Sequence, residues 1–330
     1  MKRLHVLYIP HPIDGVNETW GDVTIATISA GHDVRIFERG QPAAPQFEGA
    51  EAVVDLGGNM SGELVEFAGH AGVRYVQAQT NGLDHVEVEA ILASGMTLAH
   101  CPGNLSAVAL AESAMMFILN LAHVYGEGQR NFDAGVCYFP IGRELVGLKL
   151  AIIGFGASGQ ELARRARPFG LKILAIDVRP IEQDVLDELQ PEFLGSPDAL
   201  DRVIGDCNFL SVHLHLTDAT HHVIDARRIG LMKRTACVIN VARGALIDEQ
   251  ALYEALSAGR IGGAGLDAFA EEPPDPTRPV YQLPNVYVSP HIAGSTDGTA
   301  RKRAQFAADN LDRFARGEPL VAQVTGRENL

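Results

Sequence analysis

Cysteine, positive charge and long hydrophobic runs are all scarce in this sequence of 330 residues. The four cysteines, Cys101, Cys137, Cys207 and Cys237, are far apart and form no C-x-x-C pair. Neither a zinc site nor a disulfide framework is therefore suggested, and no other metal site is proposed. We expect buried free thiols in a reducing compartment, which favours the cytoplasm.

Basic residues are outnumbered by acidic ones. The chain has 27 Lys and Arg residues against 41 Asp and Glu residues, so its formal net charge is −14 at pH 7. Nucleic acid and anionic membrane surfaces bind basic patches, so neither is expected as a partner. A small anionic ligand remains compatible with this balance, because a local arginine can bind it inside an acidic protein.

No stretch approaches the roughly 20 apolar residues that span a bilayer. The first apolar run, residues 4–9, is too short for the core of a secretion signal and ends at Pro10. We therefore expect neither a membrane segment nor a secretion signal. At this length the chain exceeds one typical hydrophobic core, so two domains are expected.

Short apolar runs alternate with helical patterns along the chain, which predicts an α/β protein with parallel sheets. Strands are predicted at residues 4–9, 34–37, 52–54, 74–77, 97–100, 150–153, 172–176, 208–212, 237–240, 263–266 and 286–289. Helix starts are predicted at Ser61, Asp84, Ser196 with Pro197, and Asp248, and helix ends at Gly95 and Gly259. A last helix is predicted at about 298–316. Residues 106–124 are apolar nearly all round, which predicts a helix buried between domains or between subunits.

The strongest local motif is G-x-G-x-x-G, formed by Gly154, Gly156 and Gly159 between a predicted strand and a predicted helix. Such glycines permit a tight turn, a close approach of the backbone to a diphosphate, and close packing of helix on strand. The free N–H groups of the helix N-terminus then face the phosphates. The motif predicts a dinucleotide site; an S-adenosylmethionine loop and a glycine turn without a ligand are the alternatives.

The next predicted strand ends in Asp177, 18 positions after Gly159. A carboxylate there would accept hydrogen bonds from the adenosine ribose. Asp177 would repel a 2′-phosphate, so NAD is favoured over NADP. Arg179 keeps NADP open, although a solvated loop cation is its simpler interpretation.

Four polar residues follow three successive predicted strands: Arg243, Asp267 with Glu272, and His291. Ligands of open α/β sheets bind at the carboxyl ends of strands, so these residues are candidates for a catalytic site. Each has a simpler interpretation when taken alone. Arg243 could form a structural ion pair, and Glu272 could be a solvated loop carboxylate. Asp267 could cap its loop, and His291 could merely end a strand.

Together the segments GFGASG, NVARGALIDE, GAGLDAFAEEP and PHIAGST, in that order, resemble the D-isomer-specific 2-hydroxyacid dehydrogenases. The resemblance covers nearly the whole chain. It implies two Rossmann-like domains with doubly wound parallel sheets and a cleft between them. Residues 1–104 and 292–330 would form the substrate domain, and residues 105–291 the NAD-binding domain. It also implies a homodimer through the helix at 106–124.

The resemblance further implies hydride transfer between NAD(H) and a D-2-hydroxy acid or its 2-oxo acid. Arg243 would bind the substrate carboxylate and carbonyl through its planar guanidinium. His291 would exchange the hydroxyl proton, and Glu272 would orient the imidazole and favour its charged form. Glu271 is the alternative candidate for orienting the imidazole, but Glu272 stands directly before the proline, as the family's glutamate does.

Cofactor contacts are implied as well. The backbone of Ala157 and Ser158 would meet the diphosphate, while Val241 and Asp267 would contact the nicotinamide end, Asp267 at the carboxamide. The complete implied set is Gly154, Gly156, Ala157, Ser158, Gly159, Asp177, Val241, Arg243, Asp267, His291 and Gly294.

Two loops of the first domain resemble substrate loops. QTNGLDHV, with Asn81 and Gly82, is similar to the family's glycine loop whose N–H groups bind the substrate carboxylate. VDLGGNM offers a second loop, with Gly57 or Gly58 close to the ligand. Either loop could instead be a plain strand-to-helix turn.

Some positions depart from the family pattern. Ser158 replaces a branched apolar residue, and His215 replaces a proline next to the cofactor. Residues 101–112 are one longer than the common spacing, so Asn104 is assigned no role. The segment 131–145 lacks the usual tryptophan, which is expected to reshape the site entrance or the dimer contact.

Two other functions are weighed against a dehydrogenase. A dinucleotide-sensing regulator would keep the cofactor loop without turnover, but the complete trio argues against it. A formate dehydrogenase-like enzyme would have glutamine in place of Glu272. The choice among glyoxylate, hydroxypyruvate, phosphohydroxypyruvate and bulkier 2-oxo acids stays open.

Overall fold

The computed structural model describes residues 2–326. They separate into two compact units, one made of residues 2–105 and 295–326 and the other of residues 106–294. The chain therefore enters the second unit once, after Leu105, and leaves it once, after Gly294. The substrate and cofactor roles expected for these two parts of the chain stay predictions.

Each unit contains one sheet with helices between successive strands. The strands are β1 His5–Ile9, β2 Asp33–Ile36, β3 Ala52–Asp55, β4 Tyr75–Ala78, β5 Thr97–His100, β6 Lys149–Ile153, β7 Lys172–Ile176, β8 Phe193–Gly195, β9 Phe209–Val212, β10 Cys237–Asn240, β11 Gly263–Leu266, β12 Val286–Val288 and β13 Gln323–Val324. The helices are α1 Asp14–Val16, α2 Asp22–Ser29, α3 Ala43–Gln46, α4 Glu63–His70, α5 Val88–Ala93, α6 Ala107–Ala122, α7 Tyr125–Asp133, α8 Ala157–Ala166, α9 Gln183–Leu189, α10 Leu200–Asp206, α11 Ala226–Leu231, α12 Glu249–Ser257 and α13 Asp297–Arg316. A π-helical turn, Asn17–Gly21, joins α1 to α2, and short 3₁₀ turns occur at Gly103–Leu105, Arg167–Phe169, Pro197–Ala199, Gly244–Leu246 and Pro279–Gln282.

The sheet of the second unit has seven strands in the order β12-β11-β10-β9-β6-β7-β8, and all are parallel. The chain starts in the middle at β6, moves outward to β8, and returns to the other side of β6 with β9. This is the doubly wound topology, in which ligands bind at the carboxyl edge where the strand order reverses. Strands β9, β10 and β11 are buried along their whole length because helices cover both faces.

The sheet of the first unit has six strands in the order β13-β5-β4-β3-β1-β2. Its strands are parallel except for β13, which pairs antiparallel with β5 at the edge. The order again reverses at the first strand. The prediction of an α/β fold with doubly wound, mainly parallel sheets is confirmed.

Helix α6 is the apolar helix expected from the sequence. Seven of its side chains join the core on one face of the seven-stranded sheet, together with residues of α8. Gly265 on β11 makes this approach possible, because a Cβ atom there would lie 2.5 Å from the ring of Phe117. The burial of these side chains therefore comes from their own unit, not from a domain or subunit boundary as predicted. Among residues 2–326, no single helix is long and apolar enough to span a bilayer, and α6 with α7 meets that test only as a pair bent by 57°.

All eleven predicted strands are present, within two residues at each end. The sequence missed β8 and β13: β8 has three half-buried residues, and β13 has one exposed and one buried residue. Such short edge strands lack the apolar run that identifies a buried strand.

The helix-boundary predictions had mixed outcomes. The carboxylate of Asp248 caps α12 by accepting a hydrogen bond of 3.0 Å from the N–H of Ala251. Gly95 and Gly259 follow their helices with positive φ, as expected. Ser61 and Asp84 were wrong as caps, because α4 follows a left-handed Gly62 and α5 begins only after Glu87.

Candidate active site

Three turns at the carboxyl edge of the seven-stranded sheet carry the residues predicted to be catalytic. Strand β11 lies between β10 and β12, so the three strands end side by side. Arg243 follows β10, Asp267 directly follows β11 and precedes the loop of Glu272, and His291 follows β12. Parallel pairing therefore places the three turns next to one another.

The imidazole of His291 and the carboxylate of Glu272 form a direct pair. Nδ1 of His291 lies 2.8 Å and 2.7 Å from the two oxygens of Glu272. The backbone N–H of Phe269 donates a further hydrogen bond of 3.1 Å to Oε1 of Glu272. Because a carboxylate only accepts, Nδ1 carries a proton, and Nε2 is left to exchange a proton with a ligand.

Charge and burial act in opposite directions on Glu272. Burial would raise the pKa of this carboxyl group, but the hydrogen bond and charge of His291, the N–H of Phe269 and the charge of Arg243 together hold the pKa below its ordinary value. The side chains of His291 and Glu272 are 42% and 38% exposed. Glu272 is therefore ionised at neutral pH, and the pair is open to an incoming small molecule.

The turn that carries His291 has a left-handed backbone, with φ of 54° at the histidine. Asp267, which is 1% exposed, supports this turn. Its two oxygens accept hydrogen bonds from the N–H groups of Ile292 at 2.9 Å and Ala293 at 2.8 Å, and the hydroxyl of Ser289 donates a third. Asp267 therefore caps its loop, which was the simpler of the two interpretations offered by the sequence. Its contact with a nicotinamide carboxamide stays a prediction.

Arg243 is positioned by a residue that the sequence did not single out. Asn240, the last residue of β10 and 1% exposed, donates a hydrogen bond of 2.8 Å to the carbonyl of Arg243. Its own side-chain oxygen accepts one of 3.1 Å from the N–H of Ala242. An asparagine closing an otherwise apolar buried strand was the available signal, because a buried amide needs partners.

The glycine after Arg243 brings the turns of β10 and β11 into contact. A Cβ atom at Gly244 would lie 1.9 Å from the carbonyl carbon of Phe269 and 2.3 Å from the backbone nitrogen of Ala270. The turn therefore packs on the backbone just before Glu272. Glycine is required here for close packing, since φ of Gly244 is not in the left-handed region.

The G-x-G-x-x-G segment has the packing expected of a dinucleotide loop. Gly154 has φ of 93°, and a Cβ atom there would lie 2.4 Å from the carbonyl oxygen of His213. A Cβ atom at Gly159 would lie 2.2 Å from the carbonyl oxygen of Gly154. Helix α8 begins at Ala157 without a side-chain cap, so its first N–H groups remain available to an anion. The loop and helix end thus fit a dinucleotide diphosphate.

Asp177 and Arg179 are paired beside that loop. One carboxylate oxygen of Asp177 accepts a hydrogen bond of 2.8 Å from the N–H of Phe155, and the other accepts one of 2.9 Å from the N–H of Arg179. The guanidinium of Arg179 lies 3.2 Å from Asp177 and 3.2 Å from the Cβ position of Gly156. Arg179 is 64% exposed but it is not simply a solvated cation, because it contacts the carboxylate predicted to bind ribose.

Ser158 replaces an apolar residue of the family pattern and belongs to a polar network. Its hydroxyl lies 3.0 Å from Nδ1 of His213, whose Nε2 lies 2.9 Å from the hydroxyl of Ser211. Burial lowers the pKa of His213 to about 4, so the imidazole is neutral. This network links the start of α8 to the end of β9, and the unusual serine was its one sign in the sequence.

The remaining predicted cofactor residues differ in accessibility. Val241 is 4% exposed and packs in the core of the second unit. Ala157 and His215 are exposed. A Cβ atom at Gly294 would have its nearest neighbour 3.6 Å away, so this glycine is not required by packing.

In the first unit, the predicted substrate residues lie on two neighbouring loops. Gly58 follows β3 with φ of 74°, and a Cβ atom there would lie 3.2 Å from Cγ2 of Thr80. Asn81 and Gly82 follow β4; Nδ1 of His100 lies 3.1 Å from the carbonyl of Asn81, and the carbonyl of Gly82 accepts a hydrogen bond of 3.1 Å from Thr80. The structure therefore brings Gly58 and the 80–82 loop together within this unit.

Comparison with known proteins yields one family. Residues 115–293 match the family model described as D-isomer specific 2-hydroxyacid dehydrogenase, NAD binding domain. The chain is 35% identical over 253 residues to a glyoxylate reductase of Korarchaeum cryptofilum, covering 74% of each chain. It is 37% identical over 225 residues to a hydroxypyruvate reductase of Thermotoga maritima, covering 67% of this chain and 71% of that one. A crystal structure of a Thermus thermophilus protein matches with a TM-score of 0.81 and 29% identity, covering 98% of this chain and 100% of that chain.

Proposed function

This chain belongs to the D-isomer specific 2-hydroxyacid dehydrogenases, an NAD-binding oxidoreductase family, and we propose that it interconverts a small 2-oxo acid and its D-2-hydroxy acid through Arg243, Glu272 and His291. The observation that carries this assignment is the pair of His291 Nδ1 with both oxygens of Glu272, at 2.8 Å and 2.7 Å. A histidine with one nitrogen held by a carboxylate and the other free is suited to general acid–base chemistry.

In the proposed reduction, Arg243 binds the substrate carboxylate and its carbonyl oxygen. Its guanidinium donates two parallel hydrogen bonds and draws electron density from the carbonyl carbon. When bound, the nicotinamide supplies the hydride. His291 donates the proton from Nε2 to the oxygen as negative charge develops there, and in the oxidation direction it takes the proton back. Glu272 holds the imidazole in place and stabilises its charged form.

The cofactor is proposed to bind with its diphosphate on the 154–159 loop and the N-terminus of α8, near the backbone of Ala157 and Ser158. Val241, Asp267 and Gly294 belong to the proposed nicotinamide end. NAD is proposed over NADP because Asp177 offers an acceptor to the ribose and repels a 2′-phosphate. The pairing of Arg179 with Asp177 supports this choice, since the carboxylate neutralises the nearest cation.

The first experiment follows the absorbance of NADH with glyoxylate, hydroxypyruvate, phosphohydroxypyruvate and a branched 2-oxo acid, with NADPH as the second cofactor. We expect turnover of at least one acid with NADH. His291→Ala should lower kcat by roughly 10²–10⁴-fold, the range of general acid–base catalysis, while NADH binding is retained. Full activity of His291→Ala would refute the proton-donor role, and no turnover by the unchanged protein would favour a dinucleotide sensor.

We also propose that the chain forms a homodimer. Several large apolar side chains are exposed in and after α7, among them Phe132 at 77%, Tyr138 at 103%, Phe139 at 58% and Ile141 at 85%. Apolar side chains clustered along one surface segment often mark a protein interface. Light scattering of the purified chain and of Phe132→Asp with Ile141→Asp tests this: a dimer should dissociate in the double variant, and a monomeric unchanged protein would refute it.

A further inference from the structure

Two adjacent glycines of the first unit, Gly57 and Gly58, lie between two histidine side chains. Both glycines have left-handed backbones, with φ of 93° and 74°. A Cβ atom at Gly57 would lie 2.8 Å from Cδ2 of His11, and one at Gly58 would lie 3.1 Å from Nε2 of His85. The missing side chains are what lets both imidazoles approach this loop.

His11 is held rigidly in this position. Asn17 accepts a hydrogen bond of 2.9 Å from the N–H of His11 and donates one of 2.9 Å to its carbonyl. Asn17 opens the π-helical turn Asn17–Gly21, a rare geometry that is often found at functional sites. The position of the histidine backbone is therefore fixed from within its own unit.

The ring of His11 is fixed as well. Its Nδ1 accepts a hydrogen bond of 3.1 Å from the N–H of Ile13, so the neutral imidazole carries its proton on Nε2. Nε2 lies 3.4 Å from the Cβ position of Gly57 and has no hydrogen-bond acceptor among residues 2–326. This N–H group is not among the buried polar atoms that lack a partner, so it is accessible and can donate a hydrogen bond to an oxygen atom that arrives at the loop.

The surroundings keep His11 a neutral donor. Burial first, and then the charge of Arg39, lower the pKa of His11. Arg39 is itself anchored by a hydrogen bond of 2.9 Å to the carbonyl of Pro10, next to His11. Nε2 of His85 lies 2.7 Å from the carbonyl of Gly57. The buried carboxyl group of Asp55 accepts a hydrogen bond of 2.7 Å from the N–H of Met60, which joins the two ends of the segment that contains Gly57 and Gly58.

We propose that His11 and the Gly57–Gly58 loop recognise an oxygen substituent on the third carbon of the 2-oxo acid, which makes His11 a specificity-determining residue. The inference rests on the proposed function and on the expectation from the sequence that Gly57 or Gly58 lies close to the ligand. A hydroxyl oxygen or a phosphoryl oxygen on that carbon accepts the hydrogen bond from Nε2. A methyl group in the same place leaves the donor unpaired, and glyoxylate has no third carbon at all.

The test compares hydroxypyruvate with pyruvate, which differ by one oxygen atom, and adds phosphohydroxypyruvate to distinguish the two oxygen sources. We expect the unchanged full-length protein to have a higher kcat/KM for an oxygen-bearing acid than for pyruvate. His11→Leu should lower that ratio roughly tenfold, the effect of losing one hydrogen bond of about 1.4 kcal/mol, and should lower glyoxylate reduction by less than it lowers reduction of the oxygen-bearing acid. His11→Gln should restore part of the ratio, because its amide still donates.

His70→Ala serves as the matched control, because His70 is an exposed histidine at the end of α4, away from the loop. Equal use of pyruvate and hydroxypyruvate by the unchanged protein would overturn the inference, as would an equal loss in His11→Leu for all acids including glyoxylate. If no 2-oxo acid is reduced, the proposed function fails. In that case the role of His11 is tested separately, by calorimetric measurement of the affinities for hydroxypyruvate and pyruvate in the presence of NADH. Equal affinities for the two acids would refute it.

Discussion

The backbone N–H of Ala293 donates a hydrogen bond of 2.8 Å to the carboxylate of Asp267, which ties the turn of His291 to the end of strand β11. A non-glycine residue in the left-handed region stores strain of the order of 1–3 kcal/mol and persists only where its surroundings fix it. Asp267 supplies that restraint at His291. It therefore acts through the backbone on the imidazole that we propose as the proton donor, whatever it contacts in a bound cofactor.

Replacing Asp267 by asparagine should lower kcat about tenfold and destabilise the protein by about 1–3 kcal/mol, because a buried N–H group loses its acceptor. NADH affinity, measured by fluorescence titration, should change little. Ser289→Ala removes only the hydroxyl contact to Asp267 and should have a smaller effect in the same direction. A loss of NADH affinity as large as the loss in kcat would instead indicate that the contact with the cofactor is the main role of Asp267.

Glu272→Gln should lower kcat, because an amide holds the charged imidazole less well than a carboxylate does. The variant should also change how stability depends on pH. The pKa of Glu272 is lower in the folded protein than its ordinary 4.5, so the ionised carboxylate stabilises the fold above that pH. This contribution is lost as pH falls through the lowered pKa.

Urea unfolding at a series of pH values tests this directly. The free energy of unfolding of the unchanged protein should fall towards that of Glu272→Gln as the pH falls below the ordinary pKa of 4.5 and through the lowered pKa of the folded protein. Glu271→Gln is the matched control, because the carboxylate that pairs with His291 belongs to Glu272. A constant difference between the unchanged protein and Glu272→Gln across this range would contradict the prediction.

Gly244→Ala tests the packing between the turns of Arg243 and Glu272. The added methyl group would overlap the carbonyl carbon of Phe269, at 1.9 Å, so one of the two turns has to move. We expect a loss of about 3 kcal/mol or more in stability and a large loss of kcat. Gly230→Ala on α11 is the control, because no atom lies within 4 Å of its Cβ position, and it should be neutral or slightly stabilising.

Asp177→Asn should raise the ratio of NADPH to NADH use at least tenfold, because the charge that repels a 2′-phosphate is removed while an acceptor for the N–H of Phe155 is kept. Adding Arg179→Ala to that variant should lower NADPH use again, since Arg179 is then the free cation nearest the loop. An unchanged cofactor ratio in Asp177→Asn would show that Asp177 does not select the cofactor.

Strong periodic signals made most of the two sheets predictable. Strands such as Cys237–Asn240 are continuous apolar runs bounded by turn residues, and the carboxyl edge of a parallel sheet follows from their order. The positions of Arg243, Glu272 and His291 at that edge were therefore accessible from the sequence. Their pairing was not, because it depends on backbone packing between turns, such as that of Gly244 on Phe269.

Positioning residues were the harder part of the site. His213 acts through a hydrogen bond to the side chain of Ser158, which is 55 positions earlier in the sequence, and no local pattern records that partner. The same reason applies to His11, whose role depends on a glycine pair more than forty positions later. Residues proposed to react with substrate are therefore easier to identify from short-range spacing than the residues that position them.

The contact between Gly244 and the Phe269–Ala270 backbone also bears on how this site can be altered by evolution or by engineering. The two turns fit without any side chain between them, so a change of backbone length in one requires a compensating change in the other. Residues 241–247 and 267–272 would therefore have to be inherited, or transplanted into another scaffold, as one block. Under the proposed function, variation of substrate preference would then fall to residues outside that block.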